Sequence, residues 1–335
     1  MAISENNEIR SNLLQCPLDN NDILFFTLMD YLNNLFTSKD PKDILRFYDY
    51  FENRDQLIKW MMERPRGNYR IVEFNKGEND IIVVIPTMDV NGKFAKTSRN
   101  EIFKGLHIIF VESGVGNYYF NYAHNCNAGI KKAIEYNPKW IILSNDDMYK
   151  IDDVDVLKKE LLKINHKDYD VIFTQPSKYH SNQERVVKFN IIYIIYFLIN
   201  SNRRKIYDLF KKYKVKYLMC NKENSRYCYK LFKKGYDFIE IQDFGIFSGE
   251  YLKKINGNLF DDNFINEGED TDLSLKFSLN PDRIDRINYK IGDYIGSSLG
   301  TGIDRSFRSI AGVTYLNFKW YEIIDKLMLK NKNIK

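Results

Sequence analysis

The run Trp140-Ile141-Ile142-Leu143-Ser144 gives way directly to Asn145-Asp146-Asp147, an amide followed by two carboxylates. An apolar strand that delivers acidic groups at its carboxyl end is how an α/β sheet presents a metal and phosphate site, since hard cations take oxygen ligands. A second acidic end is Glu112, which closes the apolar run 106–111. Its ionised oxygens accept hydrogen bonds and donate none, so it either reads donor groups on a ligand or stands as a solvated strand-end acid. The third acidic place is Glu267-Gly268-Glu269-Asp270-Thr271-Asp272-Leu273. Acids at the amino terminus of a helix are favoured by its dipole, which accounts for part of that cluster without any chemistry.

The elements needed to position these acids are legible from residue 80 onwards. The sequence predicts strands at 81–85, 106–111, 140–143 and 171–173, with a helix over 123–136 between the second and third. Each strand is a continuous β-branched or apolar run, as expected where helices cover both faces of a sheet. The polar ends Pro86-Thr87, Glu112-Ser113-Gly114 and Asn145-Asp146-Asp147 then collect at one edge. The pattern resumes with strands at 238–242 and 245–248 and a helix over 249–256. Ahead of the sheet, residues 21–63 predict two helices, the second opened by Pro41 and running through Phe47, Phe51 and Trp60. These form an extension packed on the main domain or used for homo-oligomer formation. The domain reading is an N-terminal helical extension over 1–75, an α/β domain over 76–310 and a C-terminal helix or tail over 311–335.

Residues 177–235 interrupt the α/β order. They hold fifteen Lys and Arg against Glu184, Asp208 and Glu223, a local balance of +12, so with a net charge of +5 the remainder carries −7. Such a segment either attracts an anionic partner or is a solvated helix face. It predicts helices near 189–200 and 203–213, and its tyrosines, Tyr193 and Tyr196 among them, serve an acceptor platform or the core. A peripheral membrane contact through 177–235 is the expectation; nucleic acid is not.

Four cysteines without metal spacing suggest a reducing compartment, so the expected location is cytoplasmic, at most peripheral at a membrane. The amino terminus is polar and acidic, unlike a secretory signal. The longest apolar run, 191–199, falls well short of the ~20 residues of a spanning helix. The four histidines form no spaced cluster, and His107 is expected to pack or hydrogen bond within its strand.

Taken in order over about residues 80–306, these segments resemble an inverting family 2 glycosyltransferase of the GT-A fold, a Rossmann-like mixed sheet flanked by helices. Ile82-Val83-Val84-Ile85-Pro86-Thr87 resembles the opening strand, with Pro86 and Thr87 against the nucleotide. Glu112 stands where the family carries an acid bonded to base or ribose, although that acid is usually Asp. Asn125-Cys126-Asn127-Ala128-Gly129 resembles an Arg-Asn-x-Gly helix start, implying diphosphate contacts at Asn127 and Gly129, with Cys126 in place of the Arg; Asn127 is alternatively a helix cap. Asn145-Asp146-Asp147 resembles the Asp-x-Asp motif, implying Asp147 as metal ligand, Asn145 as a weaker one and Asp146 on the ribose or sugar.

The segment Gly257-Asn258-Leu259-Phe260-Asp261-Asp262-Asn263-Phe264 with Glu269-Asp270-Thr271-Asp272-Leu273 is the most specific match. It implies Asp270 as the general base, Glu269 as the residue that orients the acceptor or shapes the sugar pocket, and Asp272 as a cap. Asp293 stands nearest to the place of a family His and becomes a second metal candidate, while Arg305 and Arg308 become candidates for the diphosphate. The resemblance implies a UDP- or GDP-sugar donor, Mn2+ or Mg2+, and a carbohydrate, lipid-linked or protein acceptor. The alternatives are a sugar nucleotidylyltransferase, for which Met88-Asp89-Val90-Asn91-Gly92-Lys93 is a poor phosphate loop, and a non-catalytic scaffold that binds a membrane or an anionic polymer.

Overall fold

In the computed structural model, which describes residues 20–174, 185–187, 238–240, 244–278, 283–294 and 302–330, the chain opens with α1 (Asn20–Thr37), α2 (Pro41–Asp49) and α3 (Arg54–Glu63). Three helices stand where the apolar periodicity predicts two. The second run is split because the Asn53 side chain accepts the Gln56 N–H and nucleates a new helix, as Asp40 does for α2 through the Lys42 N–H.

The α/β part runs through β1 (Arg70–Phe74), β2 (Ile81–Thr87), α4 (Lys93–Thr97), β3 (His107–Glu112), α5 (Tyr122–Ile134), β4 (Trp140–Ser144), β5 (Met148–Lys150), α6 (Val154–Leu162) and β6 (Val171–Phe173). It continues with β7 (Arg185–Val187), β8 (Phe238–Glu240), β9 (Phe244–Ser248), α7 (Gly249–Lys254), α8 (Glu269–Ser278), β10 (Ile284–Arg286), β11 (Ile291–Asp293) and α9 (Ile303–Lys330). Residue 75 follows β1, which belongs to the sheet, and residue 311 lies inside α9.

Seven strands form a mixed sheet in the order β1-β3-β2-β4-β9-β6-β10. β3, β2 and β4 are mutually parallel, β9 runs antiparallel to both β4 and β6, and β1 closes the β3 edge antiparallel. Helices cover both faces, which is why the strands read as unbroken apolar runs. Ile82, Val84, Ile109, Val111, Ile141 and Leu143 pack with Cys126 and Ile130 of α5. The alternate residues, Val83, Ile85, Ile108, Phe110 and Ile142, pack on the other side with Leu157 and Leu161 of α6.

A separate core joins the first helices to α9: Phe36, Phe47, Trp60 and Met61 meet Phe264, Phe307, Ile310 and Trp320. Those apolar helix faces are thus covered within one chain. The strands β7, inside the basic segment, and β8, just beyond it, pair antiparallel, Arg185 opposite Glu240. The helices expected near 189–200 and 203–213, and Tyr193 and Tyr196, lie outside the described residues. Among the described residues no helix is long and apolar enough to cross a membrane.

Candidate functional site

The strand ends meet as the alternation of runs and acids requires. β2 pairs with β4 only as far as Val84 opposite Leu143, so Pro86, which has no N–H to give, lies beyond the last rung where the two strands part. In the opening beyond it the buried Thr87 hydroxyl donates to Asp146 Oδ2 at 2.6 Å. Ser98 donates to the Asp146 carbonyl at 3.3 Å. Burial raises the Asp146 carboxyl above its ordinary value, opposed by the Thr87 bond and reinforced by neighbouring Asp147. At the end of β3 Glu112 accepts the Val90 N–H at 3.1 Å through one oxygen and pairs with Arg70 of β1 through the other. Both oxygens of the expected base reader therefore hold contacts within the chain.

Asp147 is buried and leads into β5, which pairs antiparallel with β11. Met148 stands opposite Asp293, and the Tyr294 N–H donates to the Asp147 carbonyl at 3.0 Å. Within this ladder Met148 and Asp293 share one face and Tyr149 and Gly292 the other. The rings of Tyr149 and Tyr294 lie 5.0 Å apart, and Gly292 has no Cβ to displace the Tyr149 ring. The expected pair of metal ligands is thus adjacent along the backbone. Among the described residues no three His, Cys, Asp or Glu side chains are grouped to hold a metal ion. The oxygen chemistry of the Asp147 carboxylate is the kind that suits a hard cation.

The third edge is built by amides of α5. Asn127 donates to the Phe260 carbonyl at 2.9 Å and accepts its N–H at 3.0 Å, and Asn121 donates to the carbonyls of Asp262 and Phe264 at 2.8 Å each. These bonds stitch the 257–264 segment to the helix. Asn121, whose side chain accepts the His124 N–H at 2.9 Å, caps α5, so the alternative of a cap at Asn127 does not hold. Gly129 faces the sheet: a Cβ there would lie 2.4 Å from Val84 Cγ1 and 2.7 Å from Val111 Cγ2. Cys126, at the position matched to an Arg, is wholly buried beneath them, and burial pushes its thiol pKa up.

From there the chain turns through Asn266 and Gly268, both at positive φ, into α8. Asp270 is half-buried in the first turn and accepts the Thr271 N–H at 2.6 Å. Glu269 is buried, with Oε2 meeting no donor, and burial, then Asp270, raises its carboxyl well above the ordinary value. Arg305 of α9 pairs with Glu267 at 2.6 Å and Arg308 with Asp304 at 2.7 Å, so both cations offered for a diphosphate already face carboxylates. Asp272 is no cap. Fully buried, it takes the Trp320 Nε1–H at 2.8 Å, Lys319 at 2.9 Å and Lys276 at 2.9 Å, which anchors α8 to α9.

One residue missed in the sequence links the edges. The Tyr122 hydroxyl donates to Asn145 Oδ1 at 2.7 Å, and its backbone N–H donates to Asn266 Oδ1 at 2.7 Å. A tyrosine just before the helix-start motif was the available signal. His107, as expected, is buried and hydrogen bonded, to Asn79 at 2.8 Å and Glu73 at 3.1 Å. Compared with protein-family models, curated proteins and solved structures, the chain has no match in any of the three.

Proposed function

We propose that the chain is a GT-A glycosyltransferase that moves a sugar from a UDP- or GDP-sugar to an acceptor hydroxyl with inversion. The observation that carries this reading is the run of contacts from Asn145 through Tyr122 to Asn266, which joins the strand-end acids to the loop leading into Asp270. A mixed sheet, acids at its parallel strand ends and a second acidic segment bonded to the same helix are what such a transfer requires.

In this reading the donor lies along the opening at Pro86 and Thr87, with its diphosphate towards Asp147. A divalent ion bound there would offset the negative charge of the departing nucleoside diphosphate. Asp270 accepts the proton of the acceptor hydroxyl as that oxygen attacks the anomeric carbon and the bond to the diphosphate breaks. Asp270 stands in the first turn of α8, where the helix N-terminus suits a carboxylate, while burial favours the protonated form of Glu269, which can donate to a sugar oxygen. Two neighbouring carboxyls thus take opposite roles because their surroundings differ.

Calorimetric titration of UDP- and GDP-sugars with Mn2+ tests this. Saturable binding to the wild type and to Asp270→Asn, weakened at least about tenfold in Asp147→Asn, supports it. Absence of donor binding under every condition favours a scaffold.

A further inference from the structure

A cavity of about 510 Å³ lies between the ends of the first helices, the 265–267 turn and the start of α9. Its size is that of a small-molecule site. Four cations reach it, Lys39, Arg64, Arg305 and Arg308, beside the rings of Phe36 and Phe120. Its two acids, Glu267 and Asp304, are met by Arg305 and Arg308. That leaves Lys39 and Arg64, which among the described residues have no carboxylate partner.

Arg64 is the unusual one. It is only 2% exposed, and its bonds go to neutral oxygens alone: Asn33 Oδ1 at 2.9 Å and the carbonyls of Pro65 and Tyr119 at 3.4 Å each. Burial and the neighbouring Arg66 push its pKa down to about 9, so the guanidinium remains charged at neutral pH. A buried charge held without a counter-charge is costly, and it is repaid when an anion arrives.

We propose that this cavity binds an organic ligand through a phosphate or carboxylate group set against Arg64 and Lys39, with its apolar body on Phe36 and Phe120. Resting on the glycosyltransferase reading, that ligand is the acceptor, because Glu267 and Arg305 of the cavity wall lie within electrostatic reach of Asp270.

The test is calorimetry on the full chain with phenyl phosphate and, separately, benzoate, at constant ionic strength. Saturable binding of one probe identifies which oxyanion is preferred. Arg64→Gln weakens it about tenfold or more, the loss of a charge-assisted contact. Lys39→Gln, at an exposed position where the fold is indifferent, weakens it several-fold and keeps the test valid should Arg64→Gln fail to fold. No saturable binding of either probe overturns the proposal. So does binding that survives unchanged in Lys39→Gln and is displaced by UDP, which would put the anion at the strand ends. Donor titrations are read independently, so anion binding without donor binding leaves this site standing and removes the glycosyltransferase reading.

Discussion

The hydroxyl of Tyr122 donates to Oδ1 of Asn145 at 2.7 Å, fixing the amide that opens the strand-end turn. Through its backbone N–H the same tyrosine holds Asn266, so the strand-end turn and the loop leading into Asp270 share one support. Tyr122→Phe keeps the ring and the backbone bond and deletes only the hydroxyl. The expected cost in stability is about 1 kcal/mol, while transfer falls about tenfold or more through mispositioning. Urea denaturation and donor kinetics on the same variant check both; unchanged kinetics would separate Asn145 from the chemistry.

Asp270 and Asp272 sit two residues apart and call for opposite outcomes. Asp272 is buried among Trp320, Lys319 and Lys276, so Asp272→Ala leaves cations facing an empty acid position and destabilises the fold by about 3 kcal/mol. Asp270→Asn costs less than about 1 kcal/mol, because that side chain is half-buried and bonded to its own neighbour. Equal losses in denaturation would contradict the division of labour.

Glu269 makes stability depend on pH in a defined direction. Burial, then Asp270, raises its folded-state pKa, so below the ordinary carboxylate range folded and unfolded chains both hold the proton. Above that range the unfolded chain ionises first, and stability is lost as pH rises towards the raised folded value. Glu269→Gln removes this loss. Melting temperatures of wild type and variant should converge near about pH 4 and diverge in favour of the variant by about pH 8. The lowered carboxyls of Asp261 and Asp262 act in the opposite sense and are common to both proteins.

Gly129 tests packing against ligand contact. A methyl there collides with Val84 and Val111, so Gly129→Ala should destabilise by about 1–3 kcal/mol from overpacking, partly offset by the better helix propensity of Ala. Donor affinity should hold. A loss of donor affinity with unchanged stability would return Gly129 to the diphosphate.

The runs 81–85, 140–143 and 171–173 were legible because β-branched residues buried on both faces leave no other reading. β1, β5 and β11 were not, since Arg70–Phe74 is a short run whose Arg70 and Glu73, three apart, break the period-two pattern, and the three-residue ribbon strands have too little periodicity to register. The acids at strand ends were visible in sequence, but their partners were not. Glu112 meets Arg70, and Asp272 meets Trp320, across separations that no local pattern encodes. Arg64, at the end of α3 and ahead of Pro65, stands out in no local pattern, yet it lines the cavity.

Sugar transfer with Asp270 as base is tested most directly by a screen of UDP- and GDP-sugars with Mn2+ and candidate acceptors, reading nucleoside diphosphate and pyrophosphate separately. Nucleoside diphosphate release coupled to transfer is expected in the wild type, and none above background in Asp270→Asn. Pyrophosphate as the product, or transfer by Asp270→Asn at near the wild-type rate, would contradict that expectation.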